Sequence, residues 1–294
     1  MPRARPATTK DGAHRATPEV RYDGYTGLRV EIDRGVAFVT IDHPPINLFD
    51  LALITDMDRL GRALETDADV RVVVFSSADP EFFIAHADVG LIEQLPTEVD
   101  HGRTELGIFH AMVDRFRTLP QATIAKIEGR TRGGGSELVL SLDMRFAAIG
   151  RAVLAQPEVA LGIIPGGSGT QRLPPLVGRG RALEIILGCG DFPAELAERY
   201  GYVNRALPAD EIGPFVEQLA RRIASFPAHA IRLAKEAVAA AQPAPLPGLL
   251  AEDRCFTRSL GDPETRRRMR GFLEAGGQTR DLELDLTALL QAIG

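Results

Sequence analysis

The sequence predicts an α/β core followed by a helical C-terminal region, and three observations carry that reading. Strand and helix patterns alternate through the first two-thirds of the chain. The run VRVVVFSS, Val70 to Ser77, is dense in β-branched residues, as in a strand covered on both faces. From Glu211 onward the pattern is almost wholly helical.

Each element has its own signal. Leu28 to Asp42 alternates apolar and polar residues around Asp33-Arg34-Gly35, a hairpin pattern, and Pro44 and Pro45 prevent its second strand from continuing. Leu51, Ile54, Met57, Leu60 and Leu64 recur at helical steps behind Asp50, a suitable N-cap. After the strand at 70–77, a helix is expected over Thr104–Leu119, stopped by Pro120. A buried strand follows over Ala122–Gly129, then a short helix over Ser136–Leu142 and a strand from Met144. Loop and short helix share Leu161–Gly178, and two more helices lie within Gly180–Gly190 and Pro193–Gly201. In the helical part, AQPAPLPG (Ala241–Gly248) reads as an extended connector, and Leu282–Ile293 as an amphipathic tail suited to an apolar groove on a neighbouring subunit. The expected organisation is a flexible tail over 1–22, an α/β core over 23–212, and a helical region over 213–294 for oligomerisation and pocket closure.

The chain has 294 residues and a net charge of -6, which gives no bulk attraction to nucleic acid or an anionic membrane. Two cysteines, Cys189 and Cys255, are too few for a disulfide framework. The basic N-terminal stretch lacks the apolar segment of a signal peptide, and no apolar run approaches the roughly 20 residues needed to span a bilayer. A soluble cytoplasmic protein with no nucleic-acid or membrane partner is expected. His101, His110 and His229 show no metal-ligand spacing and read as ordinary.

The chemistry centres on GRTRGGGSELVLSLDM, Gly129 to Met144. Its glycines fit neither GxxxxGK[ST] nor GxGxxG, and a glutamate so close behind them is poor company for phosphate. Two readings stay open. The glycines permit a sharp turn with close packing, or they aim backbone N–H groups at a developing oxyanion beside Glu137. A second carboxylate, Glu158, follows Pro157 beside another glycine cluster. Two carboxylates in different surroundings divide acid and base duties.

The segment Ala122–Gly178 resembles the crotonase superfamily, the enoyl-CoA hydratase/isomerase family, in its strand, glycine triplet and glutamate, QPE segment, and closing glycines with TQRL. Supporting matches are HPPINLF (43–49), FFIAHADV (82–89) and the stretch 181–212. The resemblance implies a spiral of repeated β-β-α units with a helical trimerisation region, and an acyl-CoA thioester as substrate. Gly134 and Ala87 match the two oxyanion-hole N–H positions. Glu137 and Glu158 match the glutamates that hold water and shuttle the proton at the α-carbon. Ala85, His86, Asp88, Val89 and Gly133 match positions that bind the coenzyme A thioester. No tightly bound cofactor or metal is implied, coenzyme A arriving as part of the substrate. A homotrimer or dimer of trimers is expected.

Retention of both glutamates favours hydration of a 2-enoyl-CoA. Double-bond isomerisation, thioester hydrolysis and decarboxylation use related sites, and a non-catalytic acyl-CoA-binding scaffold is the reading from another class. Three departures from the family pattern stand out. His86 replaces a usual glycine. Arg130 and Arg132 precede the glycine triplet, either as surface or paired groups or as readers of an acidic acyl group or a phosphate. The run Arg266–Arg270 is basic, either a solvated or inter-subunit face or a contact for coenzyme A phosphates.

Overall fold

Strands divide between two sheets in the computed structural model, which describes residues 22–241 and 245–292. β1 (Leu28–Asp33) and β2 (Val36–Ile41) form the expected hairpin, Asp33 pairing with Val36 across the Arg34-Gly35 turn. α1 (Leu51–Thr66) follows, its first turn capped by Asp50, whose Oδ1 accepts the Leu53 N–H at 2.8 Å. Three β-β-α units come next. The first comprises β3 (Val72–Ser77), β4 (Phe82–Ile84), α2 (Val89–Ile92) and α3 (Ile108–Thr118). The second is β5 (Ala122–Ile127), β6 (Arg130–Arg132) and α4 (Gly134–Ser141). The third is β7 (Met144–Ala148), β8 (Val153–Ala155), a 3-10 turn (Glu158–Leu161) and α5 (Gly169–Val177). α6 (Arg179–Gly188), β9 (Phe192–Pro193), α7 (Ala194–Tyr200) and β10 (Arg205–Leu207) complete this part.

Each unit gives its first strand to the larger sheet, ordered β1-β2-β3-β5-β7-β10, and its second to a smaller one, ordered β4-β6-β8-β9. The pairings from β2 to β10 and from β4 to β8 are parallel. This is the expected spiral. The unbroken apolar run of β3 has a direct cause: Val73 and Phe75 enter the main core, while Val72 and Val74 face a second cluster with Val216 and Ala220 of α8 (Ile212–Ala224).

The remaining helices are α9 (Ala228–Ala239), α10 (Pro245–Leu260), α11 (Pro263–Glu274), α12 (Arg280–Glu283) and α13 (Leu286–Ala292). Several expectations are modified. The tail over 1–22 falls, but for its last residue, outside the described residues, as does part of the connector at 241–248, which is helical from Pro245. α3 starts at Ile108 rather than Thr104, with Gly107 as its N-cap. The amphipathic tail divides into α12 and α13, and its groove is in its own subunit: Leu286, Leu289 and Leu290 are buried with Val89, Leu161 and Phe272 of the same chain.

Candidate active site

The site is built where β6 turns into α4. Gly133 has φ 47°, which favours glycine, and a Cβ there would stand 2.9 Å from Glu158 Oε1 and 3.3 Å from the His86 Cβ. The Gly133 N–H is already given to the Ala155 carbonyl at 3.1 Å. Gly134 is the first residue of α4, so its N–H has no partner within the helix. A Cβ on Gly134 would lie 3.4 Å from that of Ala87. Around Ala87, the Phe49 N–H donates to the His86 carbonyl at 2.9 Å and the Asp88 N–H to the Phe49 carbonyl at 3.0 Å. That parallel bridge turns the N–H of Ala87 itself away from Phe49.

A cavity of about 540 Å³ opens on these groups, within the usual range for small-molecule sites. Ala87, Gly133, Gly134, Glu137 and Glu158 all line it, as do His86, Asp88 and Val89. Ala85 does not. It is buried with Ile46 and Phe82 on the other face of its strand. Phe109, Ile163, Phe256, Leu260 and Leu290 supply much of the apolar wall.

Glu137 stands on the first turn of α4, and its Oε1 accepts the N–H groups of Gly167 and Gly169 at 2.7 and 2.8 Å. Gly167 must be small, since a Cβ there would come within 2.6 Å of Glu137 Oε2. Burial and then the negative charge of Glu252 push the Glu137 carboxyl up to about 7, against the pull of those two N–H groups. Glu158 enters from the 3-10 turn, and burial followed by the Glu137 charge raises it well above the ordinary carboxylate range. With the Gln156 amide oriented to satisfy its neighbours, Nε2 reaches both Glu158 oxygens at 3.1 Å while Oε1 accepts from Ser136. Two buried carboxyls that face one cavity and repel each other's charge are not both ionised near neutral pH, so the pair can exchange protons with a bound molecule.

His110 is not an isolated residue. Its Nε2 lies 2.9 Å from Oε1 of Glu252, a fully buried side chain of α10. Glu252 also accepts the Ser168 N–H at 2.6 Å and the Thr170 N–H at 2.9 Å, together with the Thr170 hydroxyl. Sequence reasoning passed over this carboxylate, although a signal was present: Leu249, Glu252, Phe256 and Leu260 recur at helical spacing, which places a charge on an apolar stripe.

The sequence model of the Enoyl-CoA hydratase/isomerase family matches residues 31–279. The chain belongs to that family. It is 32% identical over 248 residues to the short-chain-enoyl-CoA hydratase of Clostridium acetobutylicum, covering 83% of this chain and 94% of the relative. Among solved structures, a Streptomyces avermitilis protein assigned provisionally as an enoyl-CoA hydratase superposes with a TM-score of 0.84 at 40% identity, covering 92% of this chain and 99% of that one. Pseudomonas aeruginosa DspI superposes with a TM-score of 0.68 at 32% identity, covering 80% and 95%. Membership of the crotonase family makes the chain an acyl-CoA-processing enzyme.

Against the crotonase pattern, two of the three departures prove to be one assembly. His86 Nδ1 faces the Ala87 carbonyl at 2.7 Å and Nε2 faces Glu283 Oε1 at 2.9 Å, so a doubly protonated ring satisfies both acceptors. Burial favours the neutral ring, but the Glu283 charge and these hydrogen bonds outweigh it and raise the His86 pKa. The two arginines neither line the cavity nor lie free on the surface. Arg132, fully buried, grips Asp191 through Nε and Nη2 at 2.8 and 2.6 Å and donates from Nη1 to the Glu283 carbonyl at 2.8 Å. Arg130 Nη2 donates to the Leu284 carbonyl at 3.0 Å. In the basic run, Arg267 and Arg268 pair with Glu264 in their own helix. Nothing in the order or spacing of the sequence singled out Glu283, whose flanking leucines are the expected inward residues.

Proposed function

We propose that this enzyme adds water across the C2–C3 double bond of a 2-enoyl-CoA thioester to give the 3-hydroxyacyl-CoA. The observation that carries the reading is the convergence of Glu137 and Glu158, from separate elements, on the cavity that Gly134 and Ala87 line side by side. The thioester carbonyl sits against the N–H groups of Gly134 and Ala87, which stabilise negative charge as it develops. One such donor typically contributes about 3 kcal/mol to the transition state. Glu137 is the more readily ionised carboxyl, because two backbone N–H groups already hold its Oε1, and it takes a proton from water as the oxygen attacks C3. Glu158, held in its protonated form, delivers a proton to C2. Together these transfers add one water, and later proton exchange between the carboxyls restores the starting state.

Coenzyme A enters as part of the substrate, along the edge formed by His86, Asp88 and Val89, and no resident cofactor is called for. We assign the helical region 213–294 to pocket closure and subunit contact, and the assembly to a homotrimer or dimer of trimers. The free cysteines Cys189 and Cys255 suit the cytoplasm.

The test follows the loss of absorbance of the conjugated thioester in crotonyl-CoA. Glu137→Gln and Glu158→Gln are each expected to lose about 100- to 10,000-fold in kcat. Full hydration by either variant would overturn the paired mechanism and redirect the assignment to isomerase or hydrolase chemistry.

A further inference from the structure

Four successive backbone N–H groups at the entrance to α5 are shared alternately between two buried carboxylates. Gly167 and Gly169 donate to Glu137 at 2.7 and 2.8 Å, while Ser168 and Thr170 donate to Glu252 at 2.6 and 2.9 Å. Alternation follows from the loop, whose successive peptide groups point to opposite sides, one toward α4 and the other toward α10. Glu137 can accept the Gly167 and Gly169 pair only while the intervening amides are drawn the other way. Glu252 does that, and His110 of α3 fixes Glu252 by its own bond at 2.9 Å. The hydroxyls of Ser141 and Ser168 bind Arg172 Nε at 3.0 and 3.1 Å, and Arg172 Nη2 binds Asp114 at 2.9 Å, so the loop is tied on that flank as well.

We propose that Glu252 and His110 are positioning residues for Glu137, acting through the shared amide groups of Gly167–Thr170 and never touching substrate through Glu252. The proposal rests on the assignment of Glu137 to proton transfer. The arrangement gives Glu252 two effects on Glu137. It sets the orientation of the loop that holds the carboxylate, and its negative charge makes ionisation of Glu137 harder. Burial disfavours a charge on His110, but Glu252, through its hydrogen bond and charge, and Glu137 outweigh it and raise its pKa, and the protonated ring opposes the second effect. Glu158 of the 3-10 turn adds repulsion from another side, Tyr202 and Asp253 also lie in this field, and Arg172 with Asp114 closes it from α5 and α3.

The two variants therefore act in opposite directions. In the full-length chain carrying ¹³C at the glutamate δ-carbon, the Glu137 resonance is assigned by its loss in Glu137→Gln and titrated against pH without substrate. Glu252→Gln is expected to lower the Glu137 midpoint by about one unit or more, the usual scale for removing a close like charge. His110→Gln is expected to raise it. In parallel, crotonyl-CoA kinetics are expected to show kcat reduced in Glu252→Gln with KM little changed, and the pH limb that reports Glu137 moved the same way as the resonance. Midpoints that stay put in both variants, or move in the same direction, would overturn the proposal. Should Glu252→Gln fail to fold, His110→Gln decides alone, an unchanged midpoint counting against the proposal. Opposite shifts in a protein that hydrates no enoyl-CoA would leave the positioning role standing and sink the hydratase reading instead.

Discussion

His86 illustrates how one substitution can be absorbed by partners far along the chain. At a position where the resemblance implies glycine, its ring lies buried between the Ala87 carbonyl and Glu283. His86→Gly is expected to destabilise the protein by about 3–5 kcal/mol, because it removes the cation beside the buried Glu283 carboxylate and leaves it the Gln278 N–H. His86→Gly with Glu283→Gln is expected to recover much of that loss, and urea unfolding of the two single variants and the double variant measures it. At this scale the sequence was partly legible. Glu137, Glu158, Gly134 and Ala87 could be named because each sits in a short motif whose order follows the chain. Glu252 and Glu283 could not, since their partners are 142 and 197 residues away and only the folded chain brings them together.

Among the elements, α12 matters out of proportion to its length. Beyond the contacts to His86, Arg130 and Arg132, Arg280 binds Asp79 and Glu81, and Gln278 accepts the Val89 N–H at 2.7 Å while its amide reaches Asp88 at 3.1 Å. The segment 278–284 is thus clamped to the strand and turn that present Ala87. Arg132→Met is expected to release this clamp and raise KM for the acyl-CoA while leaving Glu137 and Glu158 in place, a split that steady-state kinetics resolves. The clamp also has a pH window. Folding raises His86 above its ordinary 6.5, so its contribution is complete below that value and is lost as pH climbs through the raised one. Folding lowers Glu283 below its ordinary 4.5, so its contribution is complete above that value and is lost as pH falls through the lowered one. Hydrogen exchange in 278–284, corrected for intrinsic rates, is therefore expected to be slowest at mildly acidic pH and to accelerate on the alkaline side. Long elements were readable from periodicity, whereas β4, β6 and β8 are three residues each, too short to show a period of two. The whole second sheet was consequently invisible before folding, although it carries both arginines.

For the molecule as a whole, the cavity wall bears on substrate choice. Two arginines line it: Arg103 is held by Asp253 at 2.9 Å, whereas Arg254 makes no ion pair among the described residues, so it is the cation that an acidic acyl group would meet. Outside the cavity, α9 has no buried residue, and its Leu233 and Val238 are 49% and 69% exposed. Light scattering on the purified protein is expected to give the mass of a trimer or hexamer, and a monomer would count against that assembly.

The path by which the site is completed has a consequence for synthesis. The segment that carries Ala87 leaves the ribosome early, but Gln278, Arg280 and Glu283, which hold it, are made almost two hundred residues later. A nascent chain can lay down its sheets and bring Glu137 near Glu158 well before then. Until the last clamp residues emerge, the Ala87 segment has its bridge to Phe49 but not these contacts, so the order of synthesis makes this edge of the site the last to be fastened.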